Sequence, residues 1–327
     1  MSLISEQIET RPATVKLGEI LTRNAQVIVL VLLIVAAGAF ERGFYNRLNF
    51  YAIAYQYSVI GLLALGQLAV ILTRGIDLSQ GSLIAVSSMV AALTAPYLGL
   101  PGCIAAAIVA SMLLGLINGA IVTWTRVPAF VATLGMMGLG RGIALTLTNS
   151  NPVPLPGAGF HSIAWGKVGL LPVPFILFIA SGIALALFLS RWPLGRHFYA
   201  VGGHEENARL SGISIASVKL AAYGISGLLC GIGGLIVTSR MGTGHPLSGM
   251  NYELESIAAV IVGGASLFGG TGRVTSVIAG ALILGVANSI INLSGVSPYL
   301  QGTLKGAIIL IAVALSQINF KAMRSGR

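Results

Sequence analysis

The sequence predicts an all-α polytopic membrane protein with about ten transmembrane helices. Three observations carry that prediction. Charged residues make up 9% of the 327 residues and hydrophobic residues 55%, where a soluble domain carries about 25% charge. Mean hydropathy is +0.90. The apolar residues also fall into runs near the roughly 20 residues that a helix needs to cross a hydrocarbon core of about 30 Å. Backbone groups in lipid must satisfy one another, so each run is read as a helix. A chain this poor in charge cannot coat a soluble surface. That excludes a cytosolic enzyme, a disordered protein and a secreted disulfide scaffold. Cys103 and Cys230 both lie inside apolar runs and imply neither a disulfide framework nor a metal cluster.

In chain order the spans are read at about 25–40, 52–72, 78–97, 101–123, 128–148, 172–190, 217–239, 252–270, 274–293 and 299–318. The first is short enough to pass for a signal-peptide core. Glu6, Glu9 and Glu19 precede it, however, unlike a compact basic leader, so it is read as a helix. An even count puts both termini on one side. With that side as the cytoplasm, residues 1–24 are a cytoplasmic segment, 25–318 the membrane domain and 319–327 a cytoplasmic tail. The 19 Lys and Arg residues then divide 13 inside to 4 outside (Arg42, Arg47, Lys167 and Arg240), with Arg141 and Lys305 within spans. This is the asymmetry of the positive-inside rule. It accounts for the net charge of +10 without nucleic acid, because the basic residues form short clusters between apolar runs.

Glycine is abundant, at 43 residues. Lipid does not drive helices together, so close backbone approach must. Gly115/Gly119, Gly138/Gly142, Gly227/Gly231 and Gly302/Gly306 have the four-residue spacing for it, either within one bundle or at a dimer face. Of the nine acidic residues none is placed at mid-membrane; Asp77 is assigned to a cytoplasmic turn, and Glu253 and Glu255 to the start of a span. His161, His197, His204 and His245 fall in connections. A proton relay through the chain is therefore not expected, since such relays use carboxylates or histidines inside the bilayer. Asp77 is read as a helix N-cap, as a partner of Arg74, or as part of a break that shapes a path. Arg141 and Lys305 either contact a ligand or pair within the bundle. Asn118, Thr133, Asn288 and Asn292 are polar residues within spans, able to line a path for a neutral polyol or to bond helices together.

Two connections are long. Residues 149–171 are rich in Pro and Gly and read as an irregular cap on the outer face. Residues 191–216 form a cytoplasmic loop in which 204–211 is a short helix. Glu205 and Glu206 stand in its first turn, where the helix dipole favours anions, Arg209 in its last turn, and Gly212 at the C-cap position. Ala208, Leu210 and Ile213 would be exposed. That pattern suits insertion into a partner's groove, or a helix lying on the membrane surface.

Several segments resemble, in order, the permease subunit of ATP-binding-cassette importers of the ribose/xylose type. They are Leu72-Thr73-Arg74-Gly75-Ile76-Asp77-Leu78-Ser79-Gln80-Gly81-Ser82, Asn118-Gly119, Val127 to Gly135, the loop 201–213, Glu253 to Gly264, the turn Gly269 to Arg273, and Asn292 to Ser297. Together they span nearly the whole chain after residue 50. Two positions depart from the family pattern: His204 stands where Asn is usual, and Arg74 where a second Gly is frequent. The resemblance implies a transport subunit without catalytic residues, set in the bacterial inner membrane and importing a monosaccharide by alternating access. It implies a second permease chain, two cytoplasmic ATPase subunits (or one fused double ATPase) that bind ATP and Mg, and a periplasmic sugar-binding protein. The coupling contact with the ATPase would involve His204, Glu205, Glu206, Asn207, Ala208, Arg209, Leu210 and Ile213. The family also implies an inverted repeat of spans 2–5 and 7–10. A branched-chain amino-acid permease of the same machinery and a passive channel are the competing readings.

Overall fold

A computed structural model describes residues 24–155 and 158–297, with positions 300, 302, 303, 306 and 307 beyond. The N-terminal segment, the span expected at 299–318 with Lys305, and the C-terminal tail lie outside these or almost so. The described chain is mostly helical. In order it forms α1 (Ala25–Phe40), α2 (Arg47–Leu72), α3 (Gln80–Trp124), α4 (Ala129–Thr146), α5 (Ala158–Trp165), α6 (Val173–Arg191), α7 (Pro193–Gly203), α8 (Glu205–Leu210), α9 (Ile215–Met241), α10 (Tyr252–Val262) and α11 (Val274–Leu293). Six of these, α2, α3, α4, α6, α9 and α11, are long and apolar enough to cross a membrane.

α3 is two helices joined at Gly99, whose φ of 64° and ψ of −173° interrupt the helical backbone. Pro96 and Pro101 flank the break, which matches the gap between the spans read at 78–97 and 101–123. The halves run antiparallel, so that Ser79 at the start of the first meets Asn118 near the end of the second. α2 is the axis of the bundle: every residue from Tyr57 to Leu72 is buried. A helix apolar and buried on all sides belongs at the centre of a membrane bundle.

The glycine pairs divide by use. Gly115 and Gly119 of α3 pack on Gly227, Tyr223 and Leu220 of α9, while Gly227 and Gly231 pack on Ser111, Met112 and Ile108 of α3. A Cβ at any of the four would press on the facing backbone or side chains. These two pairs therefore face each other across one intrachain crossing, and the bundle reading is the one they fit. Gly138/Gly142 and Gly302/Gly306 meet nothing within 4 Å.

Three expectations are corrected. The span read at 252–270 is an eleven-residue helix, α10, about 16 Å long at 1.5 Å per residue. The chain then turns at Gly263 and Gly264, the latter at φ 77°, a left-handed stop that ends the helix, and Gly263 packs so closely on Ser276 and Val277 that a Cβ there would not fit. The stretch 149–171 is not irregular. Val153–Pro154 pairs antiparallel with Thr243–Gly244, α5 follows, and Lys167–Val168 pairs with Leu171–Pro172 in a hairpin. The loop 191–216 holds a second helix, α7, whose Pro193 takes the first-turn position where proline fits. Its Phe198 and Val201 are buried.

Gly227→Val tests the crossing. We expect the variant to lose its monodisperse peak in detergent or to unfold at a clearly lower temperature, since overpacking costs about 1–3 kcal/mol; an unchanged melting profile would contradict the packing.

Candidate functional site

The chain reverses at the end of α2 through a left-handed residue. Gly75 N–H donates to the Val70 carbonyl (3.1 Å) and Arg74 N–H to the Ile71 carbonyl (2.9 Å), and Arg74 has φ 64°. This is a helix stop that glycine normally serves, which explains why the family pattern often places Gly there. Arg74 offsets the strain with its side chain: Nε donates to the Gly202 carbonyl (2.8 Å) and Nη2 to the Gly203 carbonyl (2.5 Å). Gly270 N–H donates to the Leu72 carbonyl (3.1 Å). The end of α2 is thus joined to the turn before α11 through the backbone and to the end of α7 through the Arg74 side chain.

Residues 75–79 then run back into the bundle without helical structure. Gln67, with its amide oriented to satisfy both groups, brackets the Asp77 peptide, donating to its carbonyl (3.1 Å) and accepting from its N–H (3.2 Å). The Asp77 side chain is fully buried. Oδ1 accepts from Ser79 N–H (2.9 Å) and Ser79 Oγ (2.6 Å), and Oδ2 from Ser226 Oγ (2.7 Å). Each hydroxyl is itself oriented by an amide. Asn118 Nδ2 donates to Ser79 Oγ (2.8 Å), and Gln80 Nε2 donates to Ser226 Oγ and to the Leu63 carbonyl (3.0 Å each). Ser256 Oγ in turn donates to Gln80 Oε1 (2.6 Å). The donor chains through Ser79 and Ser226 both end at Asp77, the terminal acceptor of a network drawn from α2, both halves of α3, α9 and α10. Among the described residues no ion pair reaches it.

Asp77 is therefore not in a turn outside the membrane, nor paired with Arg74. Ser226 lies eleven residues into the 27-residue α9, about 16 Å from its start, so the carboxylate sits near mid-bundle. The absence of any mid-membrane carboxylate, expected from the sequence, is corrected. Of the three readings of Asp77, the structural break is the one the geometry fits.

Of the four polar span residues, Asn118 and Thr133 converge on this break; Thr133 Oγ1 donates to the Ile76 carbonyl (3.1 Å). Asn288 is elsewhere, donating to the Tyr57 hydroxyl. Asn292 is exposed at the end of α11. Arg141 donates to the carbonyls of Pro246 (2.6 Å), Ser248 (3.1 Å) and Gly81 (3.3 Å), fastening the stretch before α10 to the start of α3. Glu253, read at a span end, is buried beside Gly81.

α8 stands one residue beyond the Arg74 contacts. His204 caps it, Nδ1 accepting from Asn207 N–H (3.2 Å), the role asparagine plays at this position in many helices. Gly212 closes it at φ 81°. Glu206 and Arg209 form a two-pronged pair (2.6 and 2.9 Å), and the hydrogen bond from Arg209 holds the Glu206 carboxyl below its ordinary range. Glu205 pairs with Lys219 of α9 (2.9 Å). The three apolar residues are not all exposed. Ala208 is buried, Ile213 packs on the core, and Leu210 alone projects, 73% exposed. Asn207 is exposed beside it.

Sequence reading missed Gln67, Gln80, Ser226 and Ser256. The signal that selected Asn118, a polar side chain inside an apolar run, would have found each of them.

Residues 49–313 match the family described as "Branched-chain amino acid transport system / permease component". The ribose import permease protein RbsC of Bacillus subtilis is 37% identical over 325 residues, 96% of this chain and 98% of that protein. That of Escherichia coli K12 is 40% identical over 301 residues, 90% and 93% of the two chains. The D-allose transport system permease protein AlsC of Escherichia coli K12 is 37% identical over 276 residues, 84% of each. No solved structure matches the chain.

Asp77→Asn places an N–H against a hydroxyl whose proton already points inward. We expect a loss of about 1–3 kcal/mol in detergent unfolding, with Asp77→Ala losing more because both serine donors are then stranded. Wild-type stability in both variants would contradict the network.

Proposed function

The chain belongs to the branched-chain amino acid transport system / permease component family, and on that premise we propose that it is the membrane subunit of an ATP-driven, binding-protein-dependent monosaccharide importer. The observation that carries the sugar reading is the near end-to-end match, at 37–40% identity, to proteins named as ribose import permeases. The subunit lies in a bacterial inner membrane with about ten spans and both termini in the cytoplasm. Nine of those spans have a helix at their place among the described residues, α3 supplying two and α10 a short one.

α8 is the contact with the ATPase. Its exposed Leu210, with Asn207 alongside, is presented on a helix braced by His204, the Lys219–Glu205 pair and the Arg74 contacts. ATP and Mg belong to the partner ATPases, two subunits or one fused double subunit, and this chain contributes no catalytic residue. A displacement of α8 reaches the backbone of Gly202 and Gly203, then Arg74, and three residues later the break at Asp77. Rearrangement there tilts α2 against α9 and exposes the path to one side and then the other. The sugar arrives from a periplasmic binding protein. A second permease chain packs against α4, whose Gly135, Gly138 and Gly142 face open space. Asn118 and Thr133 act by holding the break, while Asn288 and Asn292 stay candidates for the path. The antiparallel crossing of α2 and α9, with Gly66 against Ser226 and Gly233 against Leu63, supports an inverted repeat: each of the two helices is followed by a non-helical return.

A second reading, import of a branched-chain amino acid, is favoured by the name of the family. Vesicles carrying the chain with its ATPase and binding protein distinguish the two: ATP-dependent uptake of ribose or a related monosaccharide is expected, and uptake of leucine in its place would overturn the sugar assignment. In the same vesicles Leu210→Asp should leave insertion and melting temperature unchanged and reduce ATPase stimulation by loaded binding protein at least about tenfold. Full stimulation would remove α8 from the contact.

A further inference from the structure

An apolar groove opens on the side of the bundle between α1, the first turns of α2, the Lys167–Pro172 hairpin, α6 and α11. Its walls include Leu30, Ile34, Tyr51, Phe175, Leu282 and Val286. Leu30 lies ten residues before the end of α1 and Leu282 eleven before the end of α11. At 1.5 Å per residue the groove runs about 15 Å down from one face, half of a hydrocarbon core of about 30 Å. It has the depth of a single leaflet.

The mouth of the groove is charged. Arg47 Nε donates to the Tyr51 hydroxyl (3.2 Å) and its guanidinium lies 5.5 Å from the Tyr51 ring centre; Lys167 Nζ lies 4.1 Å from the same ring centre. Two cations thus converge on one aromatic ring that also lines the groove. Neither has an acidic partner among the described residues. Two like charges beside one ring repel, and an anion placed between them offsets that repulsion. Tyr51, Tyr55 and Trp165 form a chain of rings beside them (6.4 and 5.4 Å between centres), at the level where aromatic belts meet the headgroups.

We propose that this groove binds one anionic phospholipid, with an acyl chain along α1 and α11 and the phosphate between Arg47 and Lys167. The occupant follows from charge complementarity at the mouth, leaflet depth below it and a mainly apolar wall. A zwitterionic lipid would bring its own cation to a site that already holds two.

The test uses the full chain, delipidated in neutral detergent, with Trp124 and Trp192 replaced by Phe so that Trp165 alone reports. Phosphatidylglycerol with brominated chains should quench Trp165 at lipid ratios at least about tenfold below those needed with brominated phosphatidylcholine. Native mass spectrometry should retain one phosphatidylglycerol per chain. The double variant Arg47→Gln/Lys167→Gln should abolish the preference while keeping its lipid-free melting temperature. Should that variant fail to fold, the wild-type preference must still shrink as salt is raised. Equal quenching by both lipids would overturn the proposal, as would a preference that survives the double substitution or salt. Quenching by neither would mean that another part of the chain or a second copy closes the groove, which also overturns it.

Discussion

A carboxylate buried in a membrane bundle, with no ion pair among the described residues, sets the terms for everything around it. Removing an ionisable group from water is costly unless it is fully hydrogen-bonded. Asp77 meets that requirement with donors from Ser79 and Ser226, and these work only because Asn118 and Gln80 orient the hydroxyls. The donors come from different helices, so the bundle must bring those helices together at one depth. Gly66 helps: its missing side chain lets the backbone at Ser226 approach α2. The glycine crossing of α3 and α9 does the same on the other side. The abundance of glycine and the buried carboxylate are thus two aspects of one packing solution.

The break that carries Asp77 is also the point where the bundle is tied to α8. Irregular backbone is tolerated at membrane depth only where protein covers it, and here Gln67, Thr133 and Asn118 satisfy the 75–79 stretch. Its end next to α2 is fixed by Arg74 at φ 64°, a left-handed conformation that costs a residue with an ordinary side chain about 1–2 kcal/mol. The guanidinium bonds to Gly202 and Gly203 give a reason for arginine at that site. One side chain therefore joins the strained end of the central helix to the residue before the cap of α8. Networks of packed backbone with two discrete arrangements are the kind of path through which coupling travels.

Much of the helical layout was legible, because a 20-residue apolar run leaves few alternatives. The starts and ends of α6 and α11 fall within a residue or so of the sequence reading. α8 was legible from its caps. What escaped was tertiary. Asp77 follows Arg74 and Gly75 in a polar stretch that reads locally as an exposed turn, and nothing local says that the stretch folds inward. α10 ends at a left-handed Gly264 whose neighbour Gly263 packs on Ser276, a contact across a loop. α7 was missed because its apolar residues, Leu194, Phe198 and Val201, are few and bounded by glycines that normally mark loops. Asn118 and Thr133 were found as polar residues in apolar runs, but their partners were not, since pairing depends on how helices cross.

In the proposed coupling, α8 and the break at Asp77 move together through Arg74. The direct measurement is the reactivity of a single cysteine at Leu78, in a chain with Cys103 and Cys230 replaced by alanine, toward a membrane-impermeant thiol reagent. The chain is reconstituted with its ATPase, with and without a non-hydrolysable ATP analogue. We expect nucleotide to change the labelling rate at least about fivefold, and Arg74→Ala, with the ATPase still bound, to remove the change. A nucleotide-dependent change of the same size in the Arg74→Ala chain would contradict the coupling.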